Sequence, residues 1–137
     1  MSMNRRDLLL AAASLPALAL PARAQAMRDR PIGLILVGAS WCPFCKAAAN
    51  TLFASAEPAS IPVLIASQDG KPIPPYGDFV EAAGHPIARD IVQIPTLLFV
   101  HLPSQAVIHQ ISGFRNPRSY LGQIRSTLVQ AQEAGYV

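Results

Sequence analysis

The chain has 137 residues, 51% of them apolar, with two cysteines and a formal net charge of +3. That length allows one domain and leaves little room for a second. Arg5, Arg6 and Arg23 outweigh Asp7 by two, so residues 27–137 carry a net charge of only +1, and no clustered Lys/Arg face marks a nucleic-acid partner.

The first segment, MSMNRRDLLLAAASLPALALPARAQA, has a basic start, an apolar run from Leu8 to Leu20 and small-residue sites at 22–24 and 24–26. These are the parts of a cleavable export signal. The run is shorter than the roughly 20 residues a membrane-spanning helix needs, and Pro16 and Pro21 interrupt it. The adjacent arginines in NRRDLL resemble a twin-arginine signal; Leu8 and Leu10 depart from that pattern, and an ordinary Sec signal stays open. We expect residues 1–26 to be removed and residues 27–137 to form one domain in the bacterial periplasm. That compartment is oxidising.

The mature chain then reads in order. PIGLILVGAS (31–40) is a continuous apolar run, as in a strand buried on both faces. CPFCKAAANTLFAS (42–55) is rich in helix formers, with Pro43 in the first turn, where a missing N–H costs nothing. IPVLIAS (61–67) predicts a second strand, and QDGKPIPPYG (68–77) a loop. DFVEAAG (78–84) predicts a short helix, with Asp78 as its cap and Gly84 as its stop. IPTLLFVHL (94–102) and QAVIHQIS (105–112) predict a strand hairpin ended by Gly113. The last segment predicts a helix opened by Asn116 and Pro117, with Leu121, Ile124 and Leu128 on one stripe. The order β-α-β-(α)-β-β-α is that of an α/β sandwich.

SWCPFCK (40–46) holds both cysteines, and three readings compete for them. A structural staple gains little, because closing so short a loop removes little unfolded-state entropy. A structural zinc site takes four ligands, and His85, His101 and His109 lie at no finger-like spacing. The redox reading accounts for the surroundings. A thiolate at a helix start is stabilised by free backbone N–H groups and the helix dipole. Cys42 is then the nucleophile and Cys45, one turn further in and more buried, the residue that resolves a mixed disulfide. A CxxC just after a strand in a βαβ pattern is the sequence signal for this chemistry.

With WCPFCK (41–46), IPT (94–96) and Gly113 at their spacing, the chain resembles the thioredoxin superfamily over essentially its whole mature length. The resemblance implies a thioredoxin-like three-layer α/β/α sandwich around a central mixed sheet. It implies that Pro95 is cis and packs against the CxxC, and that Ile94 offers backbone hydrogen bonds to a bound substrate chain. Trp41 would flank the nucleophile. Pro43, Phe44, Thr96 and Gly113 complete the expected substrate-positioning set.

Two positions depart from the family. Cytosolic thioredoxins carry a buried acid six residues before the first cysteine, where this chain has Leu36; water or Lys46 remain as substitutes for its proton-handling part. Between the cysteines, Pro-Phe replaces the Gly-Pro of thioredoxins and the Pro-His of strong oxidants. Phe44 has no group that could stabilise a thiolate, so the expected potential lies at roughly −200 to −270 mV. The segment 68–92, with Tyr76, Phe79 and His85, is longer than the family needs and reads either as a docking surface or as a tolerated insertion.

The small exported domain resembles thioredoxin-like oxidoreductases of the SoxS type found with sulfur-oxidation systems, and more loosely those serving cytochrome c maturation. It implies a monomeric reductant of disulfides or blocked cysteines on periplasmic proteins, recharged by a membrane thiol electron donor, without cofactor or metal. A disulfide oxidase or isomerase, and a non-catalytic Cu(I)-binding thiol chaperone, are the alternatives.

Overall fold

A computed structural model describes residues 31–137; the expected export signal, residues 1–26, lies outside the described residues. The elements are β1 (Ile32–Gly38), α1 (Pro43–Ala56), β2 (Val63–Ser67), β3 (Val80–Glu81), a 3-10 turn (Ala82–Gly84), β4 (Thr96–His101), β5 (Ala106–Ser112) and α2 (Pro117–Glu133). One five-stranded sheet runs β3-β2-β1-β4-β5. β1 is parallel to β2 and β2 to β3, whereas β4 is antiparallel to both β1 and β5. The expected α/β sandwich with a central mixed sheet is thus observed.

β1 lies in the middle of the sheet, and every one of its residues is buried. Its side chains alternate between two cores, as a period of two requires. Ile32, Leu34 and Leu36 join Cys42, Cys45, Leu52, Ile65, Leu97, Phe99, Tyr120 and Ile124. Ile35 and Val37 face the other way, with Ala66, Ala82, Ala88, Leu98 and Val100. Full burial of a side chain of the Leu, Ile or Phe class contributes roughly 1.5–3 kcal/mol relative to exposure, so the first and larger core dominates. Between β4 and β5, Phe99 pairs with His109 and Val100 with Val107. Ile108 is therefore an extra, bulged residue, and it packs on that larger core.

The two outer layers differ. α1 and α2 share the larger core, whereas the opposite face is covered by the 3-10 turn and the stretch through Ile87, Ala88 and Ile91. The helix expected over 78–84 is not formed, and Asp78 lies ahead of β3 rather than capping a helix. The six residues between Gly77 and Gly84 are too few to repay helix nucleation. The edge of β2 offers unpaired backbone groups instead, and Val80 and Glu81 pair with Ala66 and Ser67. Around α2, the buried stripe is Tyr120, Ile124, Thr127 and Ala131; Leu121 and Leu128 flank it half-buried.

Candidate active site

β1 ends at Gly38, and Ala39–Trp41 turn the chain into α1, with the Cys42 N–H donating to the Ala39 carbonyl at 3.2 Å. Cys42 is the helix cap. Its backbone is extended (φ −85°, ψ 115°), Pro43 follows in the first turn, and the Cys45 N–H donates to the Cys42 sulfur at 3.2 Å. The Cys42 sulfur thus occupies the position where a helix start presents free N–H groups. Both cysteines are free thiols. Cys42 is 5% exposed and Cys45 wholly covered, whereas Trp41 and Phe44 stand out at 69% and 58%. Pro43 is also exposed. Cys42 therefore lies at the foot of an exposed apolar rim, with Cys45 sealed below.

The seal explains Gly38. A Cβ built there would lie 2.9 Å from the Cys45 sulfur and 3.1 Å from the Ile73 Cδ1. Ile73 is fully buried and belongs to the long segment 68–92. With Tyr76 and Phe79 also packed on the larger core, this segment builds part of the floor beneath the dithiol. His85 serves the same segment structurally, its Nδ1 accepting from the N–H groups of Ile87 and Ala88 at 3.2 and 3.3 Å.

The Ile94–Pro95 peptide is cis. Pro95 is buried and Ile94 half-buried, with Ile94 touching both cores. Thr96 is 2% exposed, and its hydroxyl donates to the Gln93 carbonyl at 2.6 Å. Gly113 has φ +83°, a conformation that glycine adopts without strain, and its N–H donates to the Pro95 carbonyl at 2.7 Å. Pro95, Thr96 and Gly113 are thus joined at one end of the β4–β5 pair. Val92, 88% exposed, precedes them.

The charge acting on the site comes from a residue that sequence reasoning missed. Asp69 accepts from the Ser40 N–H at 3.2 and 3.3 Å, from the Ser40 hydroxyl, and from the Ser67 hydroxyl at 2.8 Å. Those bonds, the Ser40 hydroxyl first, hold its carboxyl down to about 2, so it is an anion at any working pH. Burial, first, and then Cys42 and the Asp69 charge push the Cys45 thiol up to about 12, against an opposing backbone hydrogen bond at Ala39. Leu36 is fully buried, and Lys46 is exposed on α1 and is not among the groups acting on Cys45. Asp69 was concealed because Asp-Gly in a proline-rich stretch is also an ordinary turn signal. The signal that could have found it is Ser67-x-Asp69 directly after an apolar strand.

His101 bonds Ser104 at 2.7 Å, and His109 stands edge-on to Phe99. Among the described residues, no three His, Cys, Asp or Glu side chains gather to hold a metal ion. No described helix is long and apolar enough to cross a membrane.

Comparison with known proteins places this arrangement. The solved thio-disulfide isomerase of Thermus thermophilus is similar over 77% of this chain and 80% of its own, with 20% identity and a TM-score of 0.50. Chlamydomonas reinhardtii thioredoxin f2 matches over 85% of this chain and 91% of its own, with 9% identity and a TM-score of 0.46. A search of curated protein sequences gives no match. The family described as "TraF: F plasmid transfer operon protein" matches residues 22–114, which is most of the chain and includes both cysteines and Pro95. The dithiol on this fold is consistent with a thiol:disulfide oxidoreductase, and the chain belongs to the TraF family, within the thioredoxin superfamily.

Proposed function

We propose that this protein is an exported thiol:disulfide oxidoreductase that reduces disulfides or blocked cysteines on selected partner proteins in the periplasm. The observation that carries the reading is the asymmetry of the dithiol: Cys42 caps α1 beneath an exposed rim, and Cys45 is sealed and held as a thiol. In the reaction the Cys42 thiolate attacks a partner disulfide, forming one S–S bond and breaking another, and the first partner thiolate takes a proton from solvent. Cys45 then gives up its proton and attacks the Cys42 sulfur. The Cys42–Cys45 disulfide forms, the second partner sulfur leaves, and two electrons have passed to the partner. A membrane dithiol donor would restore the pair.

The direction rests on what would stabilise the reduced form. Phe44 offers no donor to a thiolate, and burial and the Asp69 anion both disfavour ionisation of Cys45. A reduced pair that gains little by ionising gives its electrons up readily. The basic-then-apolar start of the chain supports export, and a carrier protein with an oxidised cysteine, as in the SoxS type of system, is the partner class we favour. The exposed Trp41, Phe44 and Val92 would meet an uncharged, apolar stretch around the target cysteine.

Equilibration of the pair in a thiol redox buffer tests the proposal. We expect a potential of about −200 to −270 mV, whereas a value near −120 mV would make the protein a disulfide donor instead.

A further inference from the structure

The release step needs Cys45 to ionise inside a core where this chain has Leu36 and no acid on β1. Two tyrosine hydroxyls on that same core, those of Tyr76 and Tyr120, are buried without a hydrogen-bond partner. Tyr76 stands against Phe53 and senses the charge of Glu57, whereas Tyr120 is the one that senses Cys45. Tyr120, in the first turns of α2, is 1% exposed, and its hydroxyl is buried without a hydrogen-bond partner. A buried hydroxyl left unpaired carries its full desolvation cost, so such an atom in a native core calls for an explanation.

Tyr120 is firmly placed. The Phe114 ring stands edge-on to it with centroids 5.0 Å apart, and Phe114 follows Gly113, which is bonded to Pro95. The phenol shares one core with Cys45, Cys42, Leu36 and Leu97. The phenol also senses Cys45: burial, first, and then the charge of an ionised Cys45 raise the Tyr120 phenol above its ordinary value. Tyr120 therefore remains an O–H, able to donate, in the very state in which Cys45 is a thiolate.

We propose that Tyr120 supplies the buried hydrogen-bond donor for the Cys45 sulfur as that sulfur ionises in the release step. In the dithiol its hydroxyl has no partner; the donor is held ready for a charge that appears only during reaction. Such preorganised donors act where charge develops, and a charge-assisted bond is roughly twice as strong as a neutral one. Three elements bear on the Cys45 sulfur with opposite signs. Cys42 at the start of α1 and Asp69 after β2 disfavour its charge, and Tyr120 on α2 favours it. The inference rests on the oxidoreductase reading and names the residue that stands in for the acid missing at Leu36.

The test is Tyr120→Phe in the full mature chain, with an aromatic disulfide reagent whose thiolate is coloured. Cys42 attacks the reagent and releases one thiolate; Cys45 then attacks the Cys42 sulfur and releases the second, losing one proton. We expect the second release to be about tenfold slower across pH 7–9, equivalent to about one pH unit in the titration of Cys45. The first release should stay within about twofold of wild type, and the urea midpoint should be equal or higher because an unpaired hydroxyl has gone. An unchanged second release overturns the inference. Equal slowing of both releases also overturns it, since the hydroxyl would then only shape the site. If wild-type Cys42 forms no mixed disulfide at all, the oxidoreductase reading fails first and the inference falls with it.

Discussion

Both helices open on a capped proline turn. At α1 Cys42 caps and Pro43 follows; at α2 Asn116 caps, Pro117 follows, and the Asn116 side chain accepts from the Ser119 N–H at 2.8 Å. Neither first turn carries an acidic residue, so in each the free N–H groups are served by the cap alone. The carboxamide of Asn116 is exposed and does only this. The sulfur of Cys42 does the same through a longer contact, and in the proposed reaction it is also the attacking atom. A position that helices commonly fill with an acceptor side chain here holds the thiol to which we assign the attack.

The comparison breaks most sharply by exchanging cap chemistry. Cys42→Ser keeps a good cap and removes the thiol, so disulfide exchange should fall to the uncatalysed rate while the urea midpoint holds or rises. Asn116→Ala should do the reverse, costing about 1 kcal/mol of stability and leaving exchange within about twofold. Paired measurements of reagent reduction and urea unfolding on both variants check this. Loss of exchange in Asn116→Ala would mean that the two helix starts are coupled.

The legible part of the protein is the part governed by local pattern. β1, α1, β4, β5 and α2 each have a periodicity or a cap readable from neighbouring residues, and the CxxC states its own chemistry by sitting between a strand and a helix. The short helix over 78–84 failed because a free sheet edge, a tertiary opportunity, outweighed a weak local preference. Asp69, Ile73 and Tyr120 went unread for a related reason. Each comes to the dithiol's loop or its core from a distant stretch of chain, and only Ser67, two residues before Asp69, offers a local mark. The stripe of α2 was read through Leu121, Ile124 and Leu128, yet its buried line also includes Tyr120 and Thr127. A polar-tipped aromatic and a threonine do not count as apolar in such a pattern.

Two glycines, one leading into α1 and one inside α2, differ in how they tolerate a methyl group. Gly38→Ala, at the end of β1, would press on the Cys45 sulfur and on the Ile73 Cδ1 at 2.9 and 3.1 Å, both fully buried and without room to move aside. We expect a loss of roughly 1–3 kcal/mol and a slower release by the displaced Cys45. Gly122, inside α2, has open space where its Cβ would go, so Gly122→Ala should gain up to about 1 kcal/mol. Urea unfolding of both variants decides it, and equal effects would remove Gly38 from the site.

The smallest expected effect lies in the loop that carries Cys42 rather than in its helix. Asp69 ties Ser40 to Ser67 across this loop; α2 has no such brace. Its carboxyl titrates at about 2 in the folded chain and at about 3.9 when free. The folded value is the lower, so the brace is complete above about pH 4 and is lost as the pH falls toward 2. Asp69→Asn should lower the urea midpoint modestly at pH 7 and flatten the fall of stability between about pH 4 and pH 2. Its effect on chemistry should have the opposite sign. With the anion gone, one cause of the raised Cys45 thiol disappears, and release from a Cys42 mixed disulfide should quicken where Tyr120→Phe slows it. A slower release in Asp69→Asn would mean that the loop's geometry, and not its charge, governs the resolving thiol.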